Sequence, residues 1–523
     1  MASELQVGAR KVASVNPATG EVLRELESSG ESEVRVAVVR ARVAQESWAA
    51  IGVRKRIAVL REFQHRLQEK KSEIAEAITR EAGKPVAEAL TTEVLVVLDA
   101  ARFLIENAYR LLGDEALAHG NLATKLKRGQ LLRQPYGVVG IISPWNYPFS
   151  IPATETLAAL VAGNAVVLKP SEFTSLVALE LKSILCAAGV REDVFQVVVG
   201  DGRTGAALID SSIDKLVFTG SLATGKGIAM AAAERLLPVV LELGGKDPML
   251  VLEDADIDVA SSAAVWGAFL NAGQTCLSVE RCYVHRSRYE AFLEACVEKT
   301  KKLRVGPGLD RETDVGPMIH ERQLRIVEAY VQDAATRGSR VLTGGSRLSE
   351  LGPNFYKPTV LADVTHDMRV MREETFGPVL PVMAFDGDDE AVRLANDSEY
   401  GLAASVWTRD NTRGERLARR IHAGTVMVND VVSCFGISEA PHGGVKFSGM
   451  GRAHGRFGLE EMVRLKYVDV ERMPGMKKVW WYGYGAKFAR QMEGFLEMQF
   501  AQGGVARLRG ALRAAGVVRR KPL

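Results

Sequence analysis

Cysteine is scarce, with five in 523 residues and none in a CxxC pair. That excludes a disulfide framework and makes a reducing cytoplasm the expected home. The eight histidines form no HExxH or comparable spacing, so no metal site is expected. Long apolar runs are missing too. Val94–Leu98 stops at Asp99, and Val161–Leu168 is interrupted by Asn164, both far short of the ~20 residues of a spanning helix. The segment Met1–Arg10 has no apolar core of the kind a signal peptide carries. Net charge is only +3, and its distribution is uneven. Residues 475–523 hold ten basic and two acidic side chains, a balance of +8, which leaves the remainder at −5. A mildly acidic body excludes nucleic acid as the expected partner.

What is present is ordinary for a globular chain: 47% hydrophobic and 25% charged residues, enough apolar surface for a core. At about 100–200 residues per domain, the length suggests roughly three domains or one large composite. Ser32–Trp48 and Val53–Arg80 carry apolar positions at helical spacing, as does Val86–Leu112 after the break at Gly83–Pro85. Short β-rich runs follow: Val138–Ser143, Ala165–Leu168, Phe195–Val199, Lys215–Phe218, Pro238–Leu243 and Met249–Leu252. Helical stretches separate the first four and follow the fourth, which predicts a parallel sheet covered on both faces. A second α/β series runs to Asn429, with helices at Ser287–Lys302, Glu321–Thr336 and Asp389–Ala395 and a strand at Val379–Phe385.

Six short motifs could carry chemistry, and each alone also fits a plain structural role. Gly273-Gln274-Thr275-Cys276 offers a nucleophile, provided the thiol can ionise; otherwise it is a buried cysteine. Glu242 interrupts an apolar run before two glycines, where burial would raise its pKa toward that of a general base. Pro144-Trp145-Asn146-Tyr147-Pro148 fixes one side-chain amide able to donate to an oxyanion, or to cap a helix. Lys169 and Glu172 close a strand and could hold ribose hydroxyls. The stretch Gly220-Ser221 to Gly225 ends another strand and opens a helix, where backbone amides favour phosphate, although neither GxGxxG nor a P-loop is present. Glu374 and Phe376 precede a Gly-Pro turn and could bind a ribose and a flat ring.

In this order and spacing the set resembles the aldehyde dehydrogenase superfamily across about residues 12–470. Glu242 and Cys276 stand 34 residues apart, as in that family, and Phe447-Ser448-Gly449-Met450-Gly451-Arg452 resembles its late catalytic stretch. The resemblance implies an α/β fold with a Rossmann-type cofactor domain, an α/β catalytic domain and a small β bridging element for oligomerisation. The corresponding boundaries are 1–114 with 136–244, then 245–460, then 115–135 with 461–474, leaving 475–523 as an extension. It implies Cys276 as nucleophile, Asn146 as oxyanion donor and Glu242 as the base that activates water. Trp145, Lys169, Glu172, Gly220, Ser221, Gly225, Glu374 and Phe376 would bind the cofactor. NAD is favoured over NADP because Glu172 would repel a 2′-phosphate. Tyr147, Phe149, Leu277 and Phe435 would line an apolar substrate tunnel. The partners implied are a small aldehyde, apolar or of broad range, and further copies in a homodimer or homotetramer. The alternatives are a coenzyme A-acylating dehydrogenase and a catalytically silent relative; the presence of Glu242 disfavours the former.

The extension lies outside the resemblance. Trp481, Tyr484, Phe488, Met492 and Phe495 recur at helical spacing, weakened at the start by Gly483 and Gly485, and Val505–Val518 is a second basic, apolar segment. Such segments pack on protein or lie on anionic membranes. A peripheral membrane contact through 475–523 would bring the enzyme to apolar aldehydes.

Overall fold

The computed structural model describes residues 11–122 and 124–517. The segment Met1–Arg10 and the basic residues Arg519, Arg520 and Lys521 lie outside the described residues. The chain divides into two compact units. One runs up to Gly113 and resumes over Arg133–Leu465; the other joins Asp114–Leu132 to the chain from Lys466 onward.

The first unit holds two large sheets, each with its own apolar core, and a two-stranded antiparallel ribbon of Lys11–Val15 and Val22–Glu27. The first sheet has six strands, in the order Gly449–Met450, Val239–Glu242, Lys215–Thr219, Val138–Ile142, Ala165–Lys169 and Phe195–Val197. All neighbours are parallel except the first pair. Val138–Ile142 and Ala165–Lys169 are buried at every position, as continuous apolar runs under two helical layers must be. Chain order reverses on either side of Val138–Ile142, and such a reversal opens a crevice at the carboxyl ends of the strands. Register aligns those ends: Ile142 pairs with Lys169 and with Phe218, and Thr219 pairs with Glu242.

The second sheet has seven strands: Arg340–Thr343, Thr359–Ala362, Val379–Phe385, Val279–His285, Asp247–Val251, Ala403–Trp407 and Thr425–Val428. Only the first pair is antiparallel. The core of the first sheet also takes Leu459, Met462 and Val463. The helix Gly455–Glu460 therefore supplies its buried Leu459 to the core of the first sheet.

Two helical runs are less regular than their apolar periodicity predicts. Val53–Arg80 breaks at Lys70 into helices Val53–Glu69 and Lys71–Ala82. Val86–Leu112 becomes a short turn at Val86–Glu88, a π-helical turn at Ala89–Val94 and a helix at Leu95–Leu111. A π-turn inserts residues without unwinding the helix and is found preferentially at functional sites.

The second unit contains most of a three-stranded sheet of Glu115–Leu117, Arg128–Pro135 and Val463–Val470, with Arg128–Pro135 central. It also contains the helices Ala486–Phe500 and Gly504–Ala514. The first of these starts later than its aromatic spacing predicts. Gly485 is extended and ends the preceding loop, so Trp481 and Tyr484 precede the helix and the five aromatic and methionine positions do not share one helical face. The two helices meet through glycines. A Cβ at Gly494 would lie 2.4 Å from the Arg513 Cβ, and one at Gly510 would lie 2.3 Å from the Met498 nitrogen. Arg513 also pairs with Glu497 at 2.7 Å.

Candidate active site

The aligned strand ends open into a cavity of about 1060 Å³, ample for a dinucleotide and a small substrate. Cys276, Glu242 and Asn146 all line it. Lys169 and Glu172 line it with their charged groups 3.6 Å apart, as do Gly220 and Ser221, which precede the helix Leu222–Glu234. Trp145, Glu374 and Phe376 complete the set. Gly225 does not belong to it. It is buried one turn into its helix, where a Cβ would lie 2.5 Å from Leu243 Cδ2, so its role is close packing of helix on sheet.

The four expected tunnel residues do not line this cavity. Phe149 is fully buried in the first core, and Leu277 is buried in the second. Tyr147 is buried with its hydroxyl 2.8 Å from Thr275 Oγ1 and its ring under the Lys84 ammonium. Phe435 packs against the His442 and His454 rings. None of the four lines the cavity. Apolar residues beside a strand end can face cavity or core, and here the core takes Phe149 and Leu277.

Cys276 keeps part of its surface open but is set among Asp247, Glu374 and Glu242. Desolvation first, and those carboxylates second, push its thiol well up from the usual range. A thiol in this setting has to give up its proton before it can act as the nucleophile. Glu242 is the last residue of its strand and is buried; neither carboxylate oxygen has a hydrogen-bond partner among the described residues. Desolvation, then the carboxyl of Glu155, raise its pKa well above the ordinary value, against Arg452. His442 Nε2 stands 3.9 Å away and is held neutral by burial, its pKa lowered to about 3. Two glycines after Glu242 make the approach possible. A Cβ at Gly244 would lie 2.4 Å from Glu374 Oε2, and one at Gly245 would lie 2.5 Å from the Cys276 carbonyl oxygen.

The Asn146 amide donates to the Gln274 carbonyl at 3.0 Å, leaving its second N–H for another acceptor. Asn271 ties the two loops together by donating to the Asn146 carbonyl at 3.0 Å. Asn271 and Ala272 both have positive φ, a strained backbone held by these contacts. Phe376 is strained in the same way, with φ of 52°. Buried Glu280 accepts its N–H at 2.9 Å and that of Thr375 at 2.7 Å, and Lys246 pairs with Glu280. The Phe376 ring meets Trp145 edge to face at 5.4 Å.

Several of these positioning groups escape sequence reading. Glu88, just before the π-turn, and Glu93 within it are two of them. Glu88 accepts the Asn271 N–H at 3.0 Å, and Glu93 accepts the N–H groups of Phe149 and Ser150 at 3.0 and 2.7 Å. Glu93 also pairs with Lys84 at 2.6 Å, both side chains fully buried. The available signal was a carboxylate sharing a helical face with Ala89, Val97 and Ala100. Removing one partner of a buried pair strands the other charge, so Lys84→Met is expected to cost about 3–5 kcal/mol of stability. Chemical denaturation checks this, and Lys84→Met with Glu93→Gln should recover part of the loss.

A dinucleotide fits the donor set: a helix start with a Ser221 cap, an ammonium–carboxylate pair at a strand end, and an aromatic wall. Comparison with known proteins agrees. The family model described as "Aldehyde dehydrogenase family" matches residues 5–468. The 4,4'-diapolycopene aldehyde oxidase of Methylomonas sp is 40% identical over 496 residues, covering 94% of this chain and 92% of that protein. The mitochondrial succinate-semialdehyde dehydrogenase of Oryza sativa subsp. japonica is 38% identical, covering 87% and 85%. The NAD+ complex of aldehyde dehydrogenase from Bacillus cereus superposes with a TM-score of 0.84 at 36% identity, covering 88% of this chain and 93% of that one. With the family matched over nearly its whole length, the chain belongs to the aldehyde dehydrogenase family, and its reaction is the NAD(P)-dependent oxidation of an aldehyde.

Proposed function

We propose that Cys276 is the nucleophile, Asn146 the oxyanion donor and Glu242 the hydrolytic base; their convergence on one cavity carries this reading. The Cys276 thiol gives up its proton to solvent and its sulfur attacks the aldehyde carbon, forming a thiohemiacetal. The free N–H of Asn146 and the backbone N–H of Cys276 stabilise the oxyanion. NAD(P)+, when bound, supplies the hydride acceptor for this carbon. A thioester remains on Cys276, and Glu242 takes a proton from the water that cleaves it, releasing the carboxylic acid and the thiol. A buried base serves hydrolysis, so transfer to coenzyme A is not favoured. Mass spectrometry of enzyme quenched during turnover tests the reading: an acyl adduct on any residue other than Cys276 overturns it.

Lys169 and Glu172 would hold the adenosine ribose, and Glu374 the nicotinamide ribose. Glu172 favours NAD, since its carboxylate repels a 2′-phosphate. Glu172→Gln is expected to shift the kcat/KM ratio of NADP to NAD upward by about tenfold, measured with one aldehyde at fixed ionic strength. The substrate class is proposed to be apolar or broad. The Trp145–Phe376 wall supports this, as does the diapolycopene aldehyde that names the Methylomonas relative. In the same reading the protein works in the cytoplasm as a homodimer or homotetramer, with its 475–523 extension touching a membrane surface. No described helix is long and apolar enough to cross a membrane.

A further inference from the structure

We infer that the outer face of the helix Gly504–Ala514 is a docking surface for anionic phospholipid. The inference rests on the proposed membrane contact of the extension, not on the catalytic assignment, and names the residues that make it. Within the helix pair, Gly510 and Ala514 are buried, and Gly510 lies against the partner helix. Helical geometry puts Val505, Leu508 and Leu512 on the opposite stripe. They are 77%, 65% and 71% exposed, so the contact between the two helices does not use this stripe. Arg509 flanks it and Arg507 lies farther round, both exposed; Arg513 is turned to the partner helix, where it pairs with Glu497. The chain holds no acidic residue after Glu497, while Arg519, Arg520 and Lys521 follow in the sequence.

Apolar side chains aimed outward between arginines match a surface that is apolar inside and negative at its rim. An interfacial helix on anionic lipid has this pattern. The exposed Trp480, Trp481, Tyr482 and Tyr484 of the same unit are residue types that settle at headgroup depth. A second copy of this chain suits the face less well. A two-fold contact would bring the arginines of both copies together, and three aliphatic side chains cover little of the ~1,200–2,000 Å² of a stable interface.

The test is sedimentation of the full-length protein with vesicles of phosphatidylcholine alone or with about 30% phosphatidylserine. The wild type is expected to co-sediment with the anionic vesicles and to be released by salt. Leu508→Glu with Leu512→Glu is expected to weaken binding by at least about tenfold, and Arg507→Glu with Arg509→Glu should weaken it on anionic vesicles. Turnover of a short soluble aldehyde at the wild-type rate shows that the variants are folded. Absence of wild-type binding overturns the membrane contact itself. Wild-type binding by the leucine variant overturns this face while leaving the contact standing. A smaller oligomer for that variant in sedimentation velocity would make a second copy the occupant and overturn the lipid assignment.

Discussion

Cys276→Ala is expected to lower kcat/KM for every aldehyde by about 10,000-fold, with cofactor affinity within about twofold of wild type. The loss is large because Cys276 is the one cysteine among the residues that line the cavity. Cys434 is near enough to influence the Cys276 thiol, but it is buried and does not line the cavity. Loss of the thiol also removes a proton-donating group from a cluster of carboxylates that includes Asp247 and Glu374. Steady-state NAD(P)H formation gives the first number, and calorimetric titration with NAD+ gives the second. Retention of more than a few per cent of activity would place the nucleophile elsewhere.

Glu242→Gln separates the two halves of the reaction. Oxidation should still run once per Cys276, giving a burst of NAD(P)H, while steady turnover falls by about 100- to 1,000-fold. The pH dependence follows from the same environment. The base works only when deprotonated, and burial together with the Glu155 carboxyl raises its pKa. Raising the pKa of a group that acts deprotonated moves the acid limb of kcat upward, so wild-type turnover is expected to keep rising with pH above the ordinary carboxylate range. Glu155 is itself pushed up to about 8 by burial. In Glu242→Gln the residual deacylation should lose this limb. Stopped-flow traces across pH show both effects, and an unchanged acid limb would assign it to another group.

Much of this was legible because parallel strands with both faces buried read as short apolar runs between turns. Glu321–Thr336 and Val379–Phe385 have the bounds that periodicity predicts, and the residues at the strand ends face one cavity because register aligns those ends. What escaped depends on contacts far apart in sequence. The π-turn at Ala89–Val94 has the same apolar face as an α-helix; Glu88 and Glu93 distinguish it, and they meet backbone groups of residues 149–150 and 271. Phe149 and Leu277 are apolar beside the site, and hydrophobicity alone does not tell which way such a side chain turns. The start of the helix at Ala486 was misjudged because aromatic spacing continued through two glycines that the backbone uses to end a loop. Gly225 likewise has the same residue type whether it cradles a phosphate or lets a helix lie close to Leu243.

The short strand Gly449–Met450 has a consequence for synthesis. It pairs antiparallel with Leu241 and Glu242 beside the crevice, and the Ser448 carbonyl accepts the Leu243 N–H at 3.0 Å. Ser448 Oγ also donates to the Gly244 carbonyl at 2.7 Å. A nascent chain therefore carries Glu242 for some two hundred residues of translation before the strand that covers its edge leaves the ribosome. Premature termination anywhere ahead of Gly449 leaves that edge unpaired, with unsatisfied backbone groups that invite aggregation. Chains that stop short of Gly449 are therefore expected to aggregate instead of showing partial activity.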